Sequence, residues 1–435
     1  MRRHACGRSH SLSEDFVSEQ TFADLGIHSK IAQALGEHGY TTPTPIQAAA
    51  IPPALAGRDI LATAETGTGK TAAFMLPALT RVAELPPPAV AAPRILVLAP
   101  TRELASQVTQ AARKYAKPLR MNIIDVVGGM PYGEQLRMLS RPVHVVVATP
   151  GRLIDHIERQ RIDLSAVEVL ILDEADRMLD MGFLDDVERI ADACKASRQT
   201  LLFTATLDRR MSQLAGKLLR NPERVAVQSQ ATAINVEQRL HHTDDMEHKR
   251  RLLMHFAGQG EVGKAIIFAA TKRDADALAE ELSAAGHAAA ALHGDMDQSK
   301  RNRTLQRLRT GQVRLLVATD VAARGIDVRD ITHVINFDLP RSAEDYVHRI
   351  GRTGRAGASG IAVSFASRAD RETLSRIERF TGATLAIHTI SGMEPQRSFS
   401  GGTGRPAGRP ANRGGARPWQ RDGGMGRPQP RAERW

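Results

Sequence analysis

Short runs of consecutive aliphatic residues recur along the chain, separated by longer stretches with helix-like spacing of apolar and polar positions. The runs DILATA (59–64), RILVLAP (94–100), HVVVATP (144–150), VLILDEAD (169–176) and TLLFTAT (200–206) lack the two-residue alternation of a half-exposed strand. Runs this apolar belong in strands covered on both faces, as in parallel sheets with helical crossovers. The pattern predicts an α/β fold.

The pattern starts again after RNPERVAVQSQATAINVEQ (220–238), with KAIIFAAT (264–271), RLLVATD (314–320), HVINFDL (333–339) and GIAVSFAS (360–367). The halves echo one another: ILVLAPTRELA (95–105) parallels AIIFAATKRDA (265–275), and VVVATPGR (145–152) parallels LLVATDVAARG (315–325). Two copies of one α/β unit are expected, the first over 21–220 and the second over 237–390, joined by a linker at 221–236. After 391 the periodicity stops. The stretch 391–435 is rich in Gly, Pro and Arg and cannot bury enough apolar surface to offset its ordering entropy. It reads as a disordered basic tail, and 1–20 as a disordered N-terminal segment.

Composition sharpens this picture. The 435 residues exceed one core, and 42% hydrophobic with 25% charged residues fits a soluble globular protein. The net charge is +11, of which the nine arginines and two acids from Arg397 onward supply +7, leaving +4 for the rest. A basic tail of this kind points to a polyanion, foremost nucleic acid; its lack of an apolar helical face argues against a membrane surface. Trp419 and Trp435, both in the tail, are candidates for stacking on bases. Cys6 and Cys194 are the only cysteines, so neither a disulfide framework nor a zinc cluster is indicated. With no apolar run of membrane-spanning length, the expected compartment is the cytoplasm.

Candidate chemistry begins at ATAETGTGKTAAF (62–74), between a strand and a helix. Gly67 and Gly69 let the backbone curl so that N–H groups face phosphate oxygens; Lys70 adds a charge and Thr71 a hydroxyl for Mg2+. Ala64 stands where the general phosphate-loop pattern has glycine. After VEVLIL (167–172) comes DEAD, Asp173 to Asp176, at the carboxyl end of a strand, where open α/β sheets bind ligands. Asp173 is placed to hold Mg2+ and Glu174 to orient and deprotonate an attacking water. HRIGRTGR (348–355) then supplies cations from the second half, and Arg352 and Arg355 can stabilise the charge of a transferring γ-phosphoryl only if the halves close.

With these residues in this order, the chain resembles the DEAD-box ATP-dependent RNA helicases of helicase superfamily 2, over about residues 22–390. The resemblance implies that 21–220 and 237–390 are two tandem RecA-like parallel-sheet domains. It implies a nucleotide site in which Phe22 and GYTTPTPIQ (39–47) form the Q motif, Tyr40 stacking on adenine and Gln47 bonding its edge. AETGTGKT then supplies Thr66, Gly67, Thr68, Gly69, Lys70 and Thr71, and ARGID (323–327) brings Gly325 and Asp327 near the ribose. Arg352 and Arg355 become arginine fingers. RNA contacts are implied at Pro100, Thr101 and Arg102; at Gly128 and Gly129; at Thr149, Pro150 and Arg152; and, in the second domain, at Thr271, Gly294, Gln298, Arg301, Thr319 and Asp320. Thr204-Ala205-Thr206 and His348 are implied to couple hydrolysis to unwinding.

Thr204 departs from the family's usual serine, which touches coupling rather than ATP binding. DEADRMLDMGF (173–183) and the Arg/Gly-rich tail look most like the bacterial RhlE-like group. The implied function is local, non-processive unwinding or remodelling of RNA duplexes and ribonucleoproteins, with ATP and Mg2+ as cofactors. RNA is the partner, read through its backbone, along with RNA-processing or ribosome-assembly proteins. Two other classes share parts of the pattern: a superfamily 2 DNA translocase, and a non-catalytic RNA clamp that ATP merely times.

Overall fold

The computed structural model describes residues 21–64, 67–226, 236–323, 326, 328, 330–354, 358–397 and 399. Thr66, Gly325, Asp327 and Arg355 lie outside them, as do residues 1–20, most of the expected linker and nearly all of the expected tail.

Among the described residues there are two seven-stranded parallel sheets. The first comprises β1 (Ile60–Thr63), β2 (Ile95–Leu98), β3 (Ile123–Val126), β4 (Val145–Ala148), β5 (Val169–Leu172), β6 (Gln199–Thr204) and β7 (Glu223–Ala226). The second comprises β8 (Val236–His242), β9 (Lys264–Phe268), β10 (Ala289–Leu292), β11 (Leu315–Ala318), β12 (Ile331–Asn336), β13 (Gly360–Ala366) and β14 (Ala386–Ile387). Their orders are β3-β4-β2-β5-β6-β1-β7 and β10-β11-β9-β12-β13-β8-β14. Adding seven to each strand number of the first sheet gives the second, the topology of a duplicated unit.

Each sheet is sealed on both faces. Ile95 and Val97 of β2 point into one apolar cluster and Leu96 and Leu98 into another; Ala265 and Ile267 of β9 divide from Ile266 and Phe268 in the same way. Two-sided burial is why these strands read as unbroken apolar runs.

Two expected boundaries meet structured residues. Strand β7 falls inside the stretch read as linker and pairs with β1, Ile60 opposite Glu223. The stretch read as tail begins as a packed strap: Met393 lies on the second lobe's core beside Ile390, the last residue of the expected second domain. The Asp244 carboxylate accepts from the backbone N–H groups of Gln396 and Arg397, each at 2.8 Å.

Candidate nucleotide and RNA site

The phosphate loop leaves β1 and enters the helix Lys70–Val82, with Gly69 at φ 94° as its N-cap. A side chain at Gly69 would collide with Gln47 and Thr44. That close approach exists because the loop is held from behind: Thr44 Oγ1 donates to the Thr68 carbonyl at 2.8 Å and Gln47 Nε2 to the Gly69 carbonyl at 3.1 Å. Gln47 Oε1 accepts from Thr44 N. Lys70 is 6% exposed and donates to the Ala64 carbonyl at 3.0 Å. Tyr40 stands 42% exposed with the Lys114 ammonium 4.8 Å from its ring centre. Phe22, expected in the nucleotide site as part of the Q motif, is 4% exposed within the first lobe's core beside Leu25 and Ile27.

At the end of β5, Asp173 and Glu174 are 2% and 4% exposed. Glu174 has φ 51° and ψ 52°, a left-handed conformation that is strained for a non-glycine residue and recurs at functional positions. Burial pushes the Asp173 carboxyl up, to about 7, with Lys70 pulling against it. Burial acts on Glu174 in the same sense but is outweighed by Arg177, Lys70 and Arg352, which hold its carboxyl down. The Arg177 Nη1 lies 3.3 Å from Glu174 Oε2, both side chains buried. The buried Asp173 Oδ1 has no hydrogen-bond partner; a bare interior carboxylate oxygen is the chemistry a divalent cation satisfies, so the donor set fits Mg2+.

Asp176 joins this centre to the Thr204–Thr206 segment. Its carboxylate accepts from Ala205 N and Thr206 N, each at 2.9 Å, and from Thr206 Oγ1 at 3.2 Å. Thr204 Oγ1 donates to the Thr206 carbonyl at 2.7 Å, and the Thr204 carbonyl accepts from Ala64 N at 3.0 Å. The hydroxyl retained by threonine is therefore in use inside the segment.

The second lobe faces this centre. Arg177, His348, Arg349 and Arg352 line one small cavity. Burial, with Arg177 nearby, drives the His348 pKa well below its usual value, so the ring is neutral at pH 7. Arg352 is 4% exposed and donates to the Ile326 carbonyl at 3.0 Å. A larger interlobe cleft of about 1140 Å³ is lined by Asp176 and Thr206 on one side and Thr319, Asp320 and His348 on the other.

The residues expected at RNA gather in two groups. Arg102 lies over Gly128 and Gly129, so close that a side chain at Gly129 would meet its guanidinium, and Gly129 has φ 77°. Thr149 heads the helix Pro150–Glu158 without using its hydroxyl as a cap, and Arg152 follows on that helix. Pro100 follows β2 by two residues and is buried. Across the cleft, Gln298 reaches Arg102 and Glu103, each at 3.4 Å.

Several expected RNA contacts have other work. Thr101 and Thr271 are matching N-caps in the two lobes, accepting from Leu104 N at 3.3 Å and Asp274 N at 3.1 Å. Arg301 gives Nε and Nη2 to Glu103 at 2.9 and 2.6 Å, bridging the lobes. Both Asp320 oxygens accept from the buried Arg349, at 2.6 and 2.7 Å, which also donates to Asn336 and to the Asp338 carbonyl. Asp320 is thus the anchor of the HRIGRTGR helix. Glu103, Asp176, Arg177 and Arg349 were given no roles from the sequence, although each stands inside or beside a motif that was recognised.

A phosphate loop at one parallel sheet, an acidic pair at a neighbouring strand end and arginines from a second RecA-like lobe define a two-lobed, nucleotide-driven motor of the helicase class. A DEAD/DEAH box helicase family model matches residues 44–214, and a helicase conserved C-terminal domain model matches 248–357. The ATP-dependent RNA helicase SrmB of Escherichia coli is 45% identical over 378 residues, covering 86% of this chain and 85% of that protein. Among solved structures, S. cerevisiae Dbp5 bound to RNA and ADP BeF3 superposes with TM-score 0.75 at 32% identity, covering 85% of this chain and 95% of that one. Mss116p bound to ssRNA and AMP-PNP gives TM-score 0.77 at 27% identity, covering 87% and 82%. The chain belongs to the DEAD-box ATP-dependent RNA helicases, enzymes whose ATP hydrolysis is stimulated by RNA.

Proposed function

We propose that the chain closes its two lobes around ATP and one RNA strand, and that hydrolysis times release of a locally opened duplex. The observation that carries this reading is that Arg352 of the second lobe lines one small cavity with Arg177 of the first, whose guanidinium lies 3.3 Å from Glu174. A base and a cation from different lobes share one water-poor centre only when the lobes are together.

Lys70 and the backbone N–H groups from Gly67 to Thr71 would hold the phosphates at the helix N-terminus. Thr71 and Asp173 would hold Mg2+, which when bound neutralises charge on the β- and γ-phosphate oxygens. Glu174 orients the attacking water and takes its proton. Arg352, and by the resemblance Arg355, stabilise the charge spread over the transferring oxygens. Tyr40 offers an exposed ring for adenine, and Gln47 keeps one N–H and one lone pair for its edge. Thr66, Gly325 and Asp327 keep the roles the resemblance gives them.

RNA would run over Arg102, Gly128–Gly129, Thr149 and Arg152 in the first lobe and Gly294, Gln298 and Thr319 in the second, gripped by its backbone with little sequence reading. That Dbp5 and Mss116p are bound to RNA supports RNA as the ligand. Cytoplasmic residence belongs to this reading by similarity to the bacterial RNA helicases SrmB and DeaD. Placement in the RhlE-like group rests on DEADRMLDMGF and the Arg/Gly-rich composition after 391.

The test is strand separation of a short RNA duplex by purified protein with ATP, beside ATPase stimulation by RNA and by duplex DNA. ATP-dependent separation with RNA-selective stimulation is expected. Equal stimulation by duplex DNA, or binding without separation, would overturn the reading.

A further inference from the structure

A buried polar stack joins the two RNA-facing elements of the first lobe. Gln135 is 0% exposed, and its Nε2 donates to the Val127 carbonyl at 2.6 Å, the residue just before Gly128. That commits Oε1 to the other side, where it meets His156 Nε2 at 2.8 Å. His156, also 0% exposed, therefore carries its proton on Nε2 and donates to Gln135. The other ring nitrogen, Nδ1, is buried without a hydrogen-bond partner.

The same imidazole lies flat on Tyr132, ring centres 4.6 Å apart and planes within 6°. Tyr132 in turn receives the guanidinium carbons of Arg152 at 5.5 Å and Arg159 at 5.3 Å. Gln135 and Tyr132 sit on the helix Tyr132–Leu139, which follows the Gly128–Gly129 loop. His156 and Arg152 share the helix headed by Thr149. Burial, with Arg152 and Arg159 nearby, lowers the His156 pKa, so the ring stays neutral, with a proton on Nε2 only.

We propose that His156 is a positioning residue for RNA: through Gln135 and Tyr132 it fixes the Gly128–Gly129 loop and the Arg152 guanidinium relative to each other. The inference rests on the reading that this face grips RNA. A buried hydrogen bond and a ring stack are short-range and directional, so the two elements move as one and the spacing between their phosphate contacts is preset. Preset spacing lowers the ordering cost at each encounter with RNA.

The experiment uses full-length His156→Leu, Gln135→Met, Arg152→Ala and the double variant His156→Leu/Arg152→Ala. For each, the half-stimulating RNA concentration, the turnover at saturating RNA and the KM for ATP are measured, beside thermal unfolding. Losing one hydrogen bond of this kind predicts a rise of about three- to tenfold in half-stimulating RNA for His156→Leu. Turnover at saturation and KM for ATP should stay within about twofold, and the double variant should be no worse than Arg152→Ala alone. Gln135→Met, which keeps the volume and leaves the His156 ring in place, should reproduce the rise, guarding against a folding defect. An unchanged RNA requirement in both His156→Leu and Gln135→Met, or additive effects in the double variant, would overturn the positioning role. Arg152→Ala without effect on RNA would instead overturn the reading of this face, and the inference with it.

Discussion

Glu103 of the first lobe accepts two hydrogen bonds from Arg301 of the second, at 2.9 and 2.6 Å, with side chains only 9% and 10% exposed. If the lobes close and open as proposed, the contact forms only in the closed arrangement and either group returns to water when they part. It therefore stabilises an arrangement and contributes little to the fold of either lobe.

Removing it should leave thermal unfolding nearly unchanged while disfavouring closure. Charge-assisted hydrogen bonds of this kind predict a fall of about 10- to 100-fold in RNA-stimulated kcat/KM for Arg301→Met. ATPase assays at subsaturating RNA, beside a melting curve, check it; a large drop in Tm with intact stimulation would assign Arg301 to the fold.

Glu174→Gln removes the proton acceptor and keeps the volume. Turnover should fall by about 10² to 10⁴, with ATP binding retained. Single-turnover hydrolysis and equilibrium nucleotide titration together check this.

Asp320 anchors Arg349, and the stability of the second lobe distinguishes that role from an RNA contact. Asp320→Asn leaves a buried guanidinium without its anion and should lower urea stability by about 3 kcal/mol. An unchanged urea midpoint with weakened RNA binding would return Asp320 to the RNA face.

His241 provides a pH prediction. Burial, then the nearby His388 and Arg239, lowers its pKa from 6.5 to about 4. The ring lies against Phe256 and Phe365, and its buried Nε2 has no hydrogen-bond partner. On acidification the unfolded chain takes up the proton first, so stability is lost as pH falls from 6.5 towards 4 and is unaffected above that window. His241→Phe should flatten this part of the curve, read as the difference between denaturant midpoints at the two ends of the window.

Truncation after Arg397 keeps both N–H groups that bind Asp244 and removes the rest of the basic stretch. If half of the arginines beyond that point meet phosphates, the slope of log affinity against log salt should weaken by about 3. Turnover at saturating RNA should be unaltered. RNA titrations at several salt concentrations check it.

The strands that enclose the site were legible because two-sided burial writes itself as runs such as VVVA and VLIL. Strand β7 was not, since ERVA at a sheet edge buries only Val225 well. The 391–397 strap escaped for a related reason: Met393 and two backbone N–H groups hold it, and backbone donors leave no mark on composition. Among site residues, the local ones were readable: a loop, a strand end, an arginine triplet. What could not be read was which partner each charge would choose. Arg349 and Asp320 are 29 residues apart and Arg301 and Glu103 are 198 apart. Such pairings are decided by how helices dock.

The matching strand orders have one further consequence. The loop after β8 occupies the place that the phosphate loop occupies after β1, yet it carries Asp244 and Asp245 where the other has Gly67, Gly69 and Lys70. Two carboxylates repel a polyphosphate, and Asp244 already receives N–H groups from its own chain. The second lobe's loop is thus a clasp for its own chain instead of an anion cradle, and nucleotide titration is expected to find one triphosphate per polypeptide.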